Sequence, residues 1–224
     1  VLGFSELAFE DAGDNEVLRE NISEIIQAGR RAEDLVGQIL TVSRQKKQEL
    51  RPVRIQSIIK EALKLLRASI PQTIDIQVRA NNRCQPVLAD ATGIHQVFMN
   101  LCTNAYQAMR HDGGTLIVEL DQIVRLAPDD ERPIAPGEYV RLRVIDSGPG
   151  IDNALMKRIF DPYFTTKEAG EGTGLGLAIV QSIVKTTKGW IDVSSTLGEG
   201  TTFEVFFPIH LRLSESHTPL PSSK

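Results

Sequence analysis

Apolar residues recur at helical spacing in the first fifth of the chain. Across residues 14–48, apolar or small side chains step by four and three alternately, and no proline interrupts them. These positions are Leu18, Ile22, Ile25, Gly29, Ala32, Val36, Ile39 and Ser43. A heptad pattern of this kind is typical of a long helix that packs against other helices. We therefore predict one long helix over 14–48, preceded by the end of an earlier helix over 1–10 and a turn at 11–15.

Two helices joined by a short turn form an antiparallel hairpin, and a hairpin alone cannot bury its apolar stripe. Pairing of two copies into a four-helix bundle would cover the stripe, so we expect a homodimer through the helical hairpin. The alternative is that the long helix packs on its own second domain.

After Pro52, which we expect to end the long helix, the periodicity alternates between helical and strand spacing. Helices are predicted at 56–68, 91–110 and 173–187, and strands at 73–79, 115–124, 139–147, 190–195 and 201–207. Most strands are expected to pair with neighbours, with a Pro- and Asp-rich loop at 127–137. This pattern predicts an α+β fold: an α/β sandwich with a mixed, mostly antiparallel sheet covered on one face by helices.

Three segments follow from these patterns. Residues 1–50 are predicted to form the helical hairpin and residues 51–210 the α+β domain. Residues 211–224 are rich in Ser and Pro, which predicts a disordered tail.

Composition narrows the function classes. The chain has 224 residues, 41% of them hydrophobic, and a net charge of −4, which argues against nucleic acid as a partner. Cys84 and Cys102 are too few for a disulfide scaffold. No apolar run approaches the roughly 18 residues of a membrane span, so we expect a cytoplasmic chain without membrane contact. Because Val1 opens the sequence without Met and inside an apolar pattern, we expect a parent protein that could be anchored upstream.

The stretch GEGTGLGLAIV at 170–180 places glycines directly before a predicted helix. A helix N-terminus attracts anions, and glycine lets the backbone approach a ligand closely. The alternative is a flexible loop. A P-loop is excluded, because Leu177 and Ala178 stand where Lys and Ser or Thr would follow the last glycine.

Three further stretches carry candidate chemistry. Asn100 and Asn104 are four residues apart on one helix face, and their amide oxygens suit Mg²⁺. Two solvent-facing asparagines are the alternative. Asp146 ends a strand before a glycine turn, where a carboxylate can accept a hydrogen bond from an exocyclic amine, or simply cap the turn. In the loop that follows, Phe160 and Phe164 could fold over a ligand, and Lys167 could neutralise a terminal phosphate.

Taken in order, NxxxN, DSGPG, FDPYF, GTGLGL and GEGTTF resemble the N, G1, F, G2 and G3 boxes of the histidine-kinase ATP-binding domain. That domain belongs to the ATPase group shared with DNA gyrase, the Hsp90 chaperones and MutL. The resemblance spans about residues 52–208. The segments LGFSELAFED and FDPYFTTK are similar to those of nitrogen-regulation-type sensor kinases.

The resemblance implies a site for ATP and Mg²⁺. Asn104 would be the main metal ligand, with Asn100 helping to place phosphate and metal, and Lys167 would reach the γ-phosphate. Asp146 would bind the adenine amine, supported by Thr202 through water, while Gly150 would let the base approach. A lid would span Phe160 to Gly172. The other nucleotide-binding positions implied are Gly148, Ile151, Phe160, Phe164, Thr165, Gly172, Thr173, Gly174, Leu175, Gly176 and Leu177.

The resemblance further implies transfer of the γ-phosphoryl to a histidine and relay to an aspartate of a response-regulator receiver domain, which would dock around residues 1–30. The sequence departs from the family here. Its histidines are His95, His111, His210 and His217, none of them on the predicted hairpin, so we expect the acceptor to lie upstream of Val1.

Two substitutions bear on the reaction. Gln96 stands where gyrase-type members carry a water-activating Glu, which favours transfer over hydrolysis. Gln107 stands where many sensor kinases have a phosphate-contacting Lys. A gyrase- or chaperone-class ATPase, and a degenerate kinase serving as a dimeric scaffold, are the alternative functions.

Overall fold

The computed structural model describes residues 2–13, 15–26, 28–29, 49–126, 135–166 and 173–210. The chain separates into two compact units. One combines Val1–Gln48 with Arg158–Ile179, and the other combines Glu49–Lys157 with Val180–Lys224.

The first unit contains a helical hairpin. Helix α1 (Leu2–Asp11) is followed by a turn and by α2, which covers 16–26 and 28–29. Asn15 caps α2, because its side chain accepts a hydrogen bond from the Leu18 N–H at 3.1 Å. The Arg19 guanidinium lies 4.2 Å from the centre of the Phe9 ring and joins the two helices. The rest of the predicted long helix lies outside the described residues.

The second unit is built on two sheets. Its elements are β1 (Arg51–Val53), α3 (Ile55–Ser69), β2 (Ile74–Ala80), β3 (Val87–Ala89), α4 (Ala91–Ala108), β4 (Gly114–Arg125), β5 (Gly137–Asp146), α5 (Asn153–Met156), α6 (Gly176–Thr186), β6 (Trp190–Thr196) and β7 (Gly200–Pro208). Helix α6 begins in the first unit and continues into the second. The larger sheet has the order β2-β4-β5-β7-β6. Among the described strands of this sheet, β2 and β4 are the only two that pair in parallel. Helix α4 lies between them in the chain and provides the crossover that a parallel pair requires.

The core lies between this sheet and its helices. Alternate residues of each central strand are buried, among them Leu116, Val118, Leu142, Val144, Phe203 and Val205. The helices contribute apolar faces at helical spacing, including Ile55, Ile59, Val97, Phe98 and Leu101.

The opposite face of the sheet carries several ion pairs. Arg143 pairs with Glu119 at 2.6 Å and with Glu204 at 3.1 Å, and Arg141 pairs with Asp121 at 2.6 Å. The same face also carries a small apolar cluster of Tyr139, Phe206, Ile123 and Trp190. The helices pack on the other, apolar face, and the predicted α+β sandwich is confirmed.

Three details differ from expectation. Pro52 lies inside β1, a strand of three residues that pairs with β3, and neither strand was predicted because both are too short to show alternation. The short helix α5 was likewise not predicted. Helix α6 begins at Gly176 and not at 173, because Gly174 has a φ of 65° and cannot lie in a right-handed helix.

Candidate functional site

Asp146 is a buried carboxylate at the end of β5, with 5% of its surface exposed. Burial raises its pKa above the ordinary value, and hydrogen bonds from the backbone N–H groups of Gly148 and Thr201 oppose that rise. The Gly148 N–H donates to Oδ1 at 3.0 Å. A buried carboxylate of this kind is a strong hydrogen-bond acceptor held in a fixed position.

The turn after Asp146 is fixed to the start of β4 and the end of α4. The Ser147 N–H donates to the Thr115 carbonyl at 3.2 Å, and the Thr115 N–H donates to Ser147 Oγ at 2.9 Å. A Cβ on Gly148 would lie 3.2 Å from the Ala108 Cβ. Asn104 and Asn100 lie one and two turns before Ala108, so both lie on the face of α4 that carries Ala108.

The other side of the same turn rests on the β6–β7 hairpin. The Gly198 N–H donates to the Pro149 carbonyl at 2.8 Å, and the Ile151 N–H donates to Ser195 Oγ at 2.8 Å. Gly150 has a φ of 75°, and a Cβ there would overlap the Thr196 carbonyl. The hairpin therefore requires glycine at 150 on its own account, and the closer approach of a base remains a prediction.

The structure places Thr201, and not Thr202, beside Asp146. In the register of β5 and β7, Asp146 is opposite Thr201 and Ile145 is opposite Thr202. Because side chains alternate between the faces of a strand, Thr202 lies on the other face of the sheet. The expectation that Thr202 supports Asp146 is therefore wrong by one residue.

Asn100 and Asn104 are half-buried, whereas Val97, Leu101 and Ala105 on the same helix are buried. The helix thus uses one face for the core and leaves the two amides at its border. Within the described ranges, no group of three or more His, Cys, Asp or Glu side chains could hold a metal ion. Two neutral amide oxygens fit a Mg²⁺ that is held jointly with phosphate oxygens and water.

A cavity of about 200 Å³ lies at this end of the sheet. It is lined by Ile145, Asp146, Ser194, Ser195, Thr196, Glu199, Gly200, Thr201 and Thr202. Pockets for ligands of drug size usually enclose about 300–1,000 Å³, so a nucleotide would need surface beyond this cavity.

Within the first unit, a backbone contact joins Tyr163, in the first part of the predicted lid, to Gly174, two residues after its predicted end. The Tyr163 N–H donates to the Gly174 carbonyl at 3.0 Å, and a Cβ on Gly174 would overlap the Tyr163 backbone. The Arg158 guanidinium lies 4.4 Å from the centre of the Phe164 ring. Lys167 and Gly172 lie outside the described residues.

The other predicted nucleotide-binding positions of this region lie near this contact in the sequence. Leu175 is buried, Thr165 is exposed, and the others are half-buried, namely Phe160, Phe164, Thr173, Gly176 and Leu177. Gly174 thus has a structural reason to be glycine, separate from any phosphate.

Sequence reasoning missed two polar residues of the Asp146 turn, Ser195 and Thr201. Their signal was the alternation of polar and apolar residues along the last two strands, which could be interpreted only after the register with β5 was known.

No helix in the described part of the chain is long and apolar enough to cross a membrane.

Residues 89–211, more than half of the chain, match the family described as histidine kinase-, DNA gyrase B- and HSP90-like ATPase. The sensor kinase CckA of Brucella abortus is 37% identical over 84% of this chain, which covers 20% of CckA. The sensory histidine kinase/phosphatase NtrB of Rhodobacter capsulatus is 33% identical over 83% of this chain, which covers 51% of NtrB. The chain thus spans between a fifth and about half the length of these relatives.

Two solved structures share the fold. Full-length ShkA in complex with AMPPNP has a TM-score of 0.69 and 25% identity, covering 93% of this chain and 42% of ShkA. The histidine kinase ThkA in complex with the response regulator TrrA has a TM-score of 0.67 and 27% identity, covering 93% of this chain and 56% of that one. Together with the Asp146 turn and the paired asparagines of α4, these matches identify the chain as a member of the histidine kinase-, DNA gyrase B- and HSP90-like ATPase family, with a catalytic domain of the sensor-histidine-kinase kind.

Proposed function

We propose that this chain is the ATP-dependent catalytic core of a sensor histidine kinase, which transfers the γ-phosphoryl of ATP to a histidine. The observation that supports it most strongly is the buried Asp146 carboxylate, held by backbone N–H groups beside the end of the helix that carries Asn100 and Asn104. The names of the relatives, sensor kinase and sensory histidine kinase, agree with this activity.

The residues divide the task by the part of ATP that each would contact. Asp146 accepts a hydrogen bond from the adenine amine and so fixes the base. Asn104 and Asn100 hold Mg²⁺, which when bound neutralises charge on the phosphate oxygens. Lys167 adds a positive charge near the terminal phosphate, and the glycines around residue 174 let the backbone approach. The AMPPNP complex of ShkA supports a nucleotide in this fold.

The acceptor in this proposal is a histidine that the sequence does not contain. Its four histidines begin at His95, beyond the hairpin. A neutral imidazole is already a nucleophile and needs no strong base. Gln96 has no proton-accepting carboxylate, which favours transfer to such a nucleophile over activation of water. Relay to the receiver domain of a response regulator would follow, as the ThkA–TrrA complex suggests for its own pair.

The assembly in this proposal is a homodimer through the helical hairpin. Phe4 is 82% exposed, Val17 69% and Ile25 50%, so the described hairpin presents apolar side chains that a second copy could cover. We propose the domain limits given above, with the hairpin over 1–50 and the catalytic domain over 51–210.

The experiment supplies the missing acceptor. The chain is extended ahead of Val1 by about three helical turns that carry one histidine, and a matched extension carries Gln at that position. Both proteins receive ATP labelled in the γ-phosphate, with Mg²⁺. The proposal predicts acid-labile, alkali-stable label on the histidine form alone, and its loss on Asn104→Ala.

The other outcomes separate the alternatives. Equal, steady phosphate release by both extensions, without labelled protein, would favour a gyrase- or chaperone-class ATPase. If neither protein bound nucleotide or became labelled, the result would favour a degenerate kinase that serves as a dimeric scaffold.

A further inference from the structure

Ser195 on β6 makes three hydrogen bonds at the centre of the Asp146 turn. Its Oγ accepts from the Ile151 N–H at 2.8 Å, donates to the Gly200 carbonyl at 2.9 Å, and lies 3.0 Å from Thr201 Oγ1. These contacts connect the turn after β5 to both strands of the β6–β7 hairpin.

Only one placement of the Ser195 and Thr201 hydroxyl protons makes all three of these contacts hydrogen bonds. A carbonyl oxygen cannot donate, so the single proton of Ser195 goes to Gly200. Ser195 then has no proton left for Thr201, and the 3.0 Å contact requires Thr201 to donate to Ser195. The proton of Thr201 therefore points towards Ser195, and its remaining lone pairs are free to accept.

Thr201 and Asp146 lie opposite each other in the register and share a face of the sheet. Opposite residues of an antiparallel pair have Cβ atoms about 4.5–5.5 Å apart, so one ligand group can meet both side chains. Asp146 is a hydrogen-bond acceptor when ionised. Thr201 can only accept as well, because its own proton is donated to Ser195. Both groups therefore favour an amine, and both oppose a carbonyl oxygen at the same place.

We propose that Ser195 is a positioning residue for nucleotide selection: it holds the Thr201 proton, so that this end of the site presents only hydrogen-bond acceptors and selects a 6-amino purine over a 6-oxo purine. The inference rests on the proposed ATP site, since it concerns which base that site admits. Removing the Ser195 hydroxyl would free Thr201 to turn its proton towards a 6-oxo group.

The test compares ATP with GTP as competitors of a fluorescent ATP analogue, with Mg²⁺, on the whole chain. The wild-type chain is expected to prefer ATP. Ser195→Ala should lower the ATP-to-GTP affinity ratio by about fivefold or more. This is the size of change expected when one hydrogen bond to the base is lost for ATP or gained for GTP. Ser195→Thr keeps a hydroxyl and should restore most of the ratio.

Matched controls separate selection from folding. Ser57 is exposed on α3 and does not line the cavity, so Ser57→Ala should leave the ratio unchanged, whereas Thr201→Val should reduce it. A loss of stability in Ser195→Ala would weaken the binding of ATP and GTP alike. The ratio of the two affinities therefore reports the direction of the Thr201 proton separately from folding.

An unchanged ratio in folded Ser195→Ala, as judged by its melting curve, would overturn the inference while leaving the ATP site intact. Wild-type binding of ATP and GTP with equal affinity would also overturn it. Binding of neither nucleotide by the wild-type chain would overturn the proposed function together with the inference.

Discussion

At the scale of single residues, the site depends on close backbone contacts that leave no room for side chains. Gly150 and Gly198 both have positive φ, 75° and 81°, and both belong to the contact between the Asp146 turn and the β6–β7 hairpin. A Cβ on Gly150 would overlap the Thr196 carbonyl, whereas a Cβ on Gly198 would meet nothing within 4 Å. A side chain at Gly198 would therefore meet backbone strain alone, whereas a side chain at Gly150 would meet both strain and steric overlap.

Replacing each glycine with alanine tests that separation. Gly198→Ala should cost about 1 kcal/mol of unfolding free energy, the usual penalty for a strained φ. Gly150→Ala should cost about 2–4 kcal/mol, because the Thr196 carbonyl must also move. Denaturant unfolding measures both values. Equal losses of unfolding free energy would contradict the close contact between Gly150 and the Thr196 carbonyl.

The pKa of Asp146 makes stability depend on pH in a defined direction. Burial raises this pKa, so the folded chain binds the proton more tightly than the unfolded chain does. Between the ordinary pKa of an aspartate and the raised folded pKa, the Asp146 contribution to stability therefore falls as pH rises. Asp146→Asn lacks this contribution.

Unfolding free energies of wild type and Asp146→Asn, measured from pH 3.5 upwards, test this directly. The difference should shift in favour of the Asn form as pH rises through that interval, and then level off above the folded pKa. A difference that moves the other way would show that the N–H groups of Gly148 and Thr201 outweigh burial.

At the scale of elements, sequence periodicity predicted the helices and long strands of the second unit to within a few residues. It missed β1 and β3, because three residues cannot show a repeat. It also assigned the supporting threonine to Thr202 and not to Thr201. Alternation fixes which residues share a face, but the phase relative to Asp146 depends on pairing between strands distant in sequence. Ser195 was missed for the same reason, whereas Asn100 and Asn104 were found because helical spacing is local.

Helix α4 should respond differently on its two faces. Leu101 is fully buried, so Leu101→Ala is expected to cost about 2–5 kcal/mol of unfolding free energy. Asn104→Ala should leave stability within about 0.5 kcal/mol and weaken nucleotide binding instead. Thermal melting with and without ATP and Mg²⁺ measures both effects. If ATP stabilised the Asn104→Ala protein as strongly as the wild type, the helix face that carries Asn104 would have no role in nucleotide binding.

For the whole molecule, the proposed homodimer depends on the apolar surface of the helical hairpin. The described hairpin exposes apolar side chains at Phe4, Val17, Leu18 and Ile25, while Ile22 is buried. Exposed apolar residues along a helical stripe need a partner surface, and two hairpins related by a two-fold axis would provide it.

Charges placed on that stripe should separate the dimer. The double substitution Leu18→Lys and Ile25→Lys is expected to shift the chain towards monomer in light scattering, because two charges on each copy would be desolvated at the interface. Glu20 is exposed on the same helix, and Glu20→Lys serves as the control for added charge. A wild-type chain that is monomeric at every concentration tested would rule out the proposed dimer.

Calorimetric titration with ATP asks whether this chain holds a Mg²⁺-dependent ATP site built on Asp146 and the asparagines of α4. We expect one saturable heat of binding that needs Mg²⁺. Asn104→Ala should lower the affinity for ATP at least about tenfold, the loss expected when a hydrogen-bonding or ligating group for a charged partner is removed. Asn82→Ala, an exposed asparagine outside the site, should bind as the wild type does. Absence of binding, or equal binding by Asn104→Ala and wild type, would contradict the account.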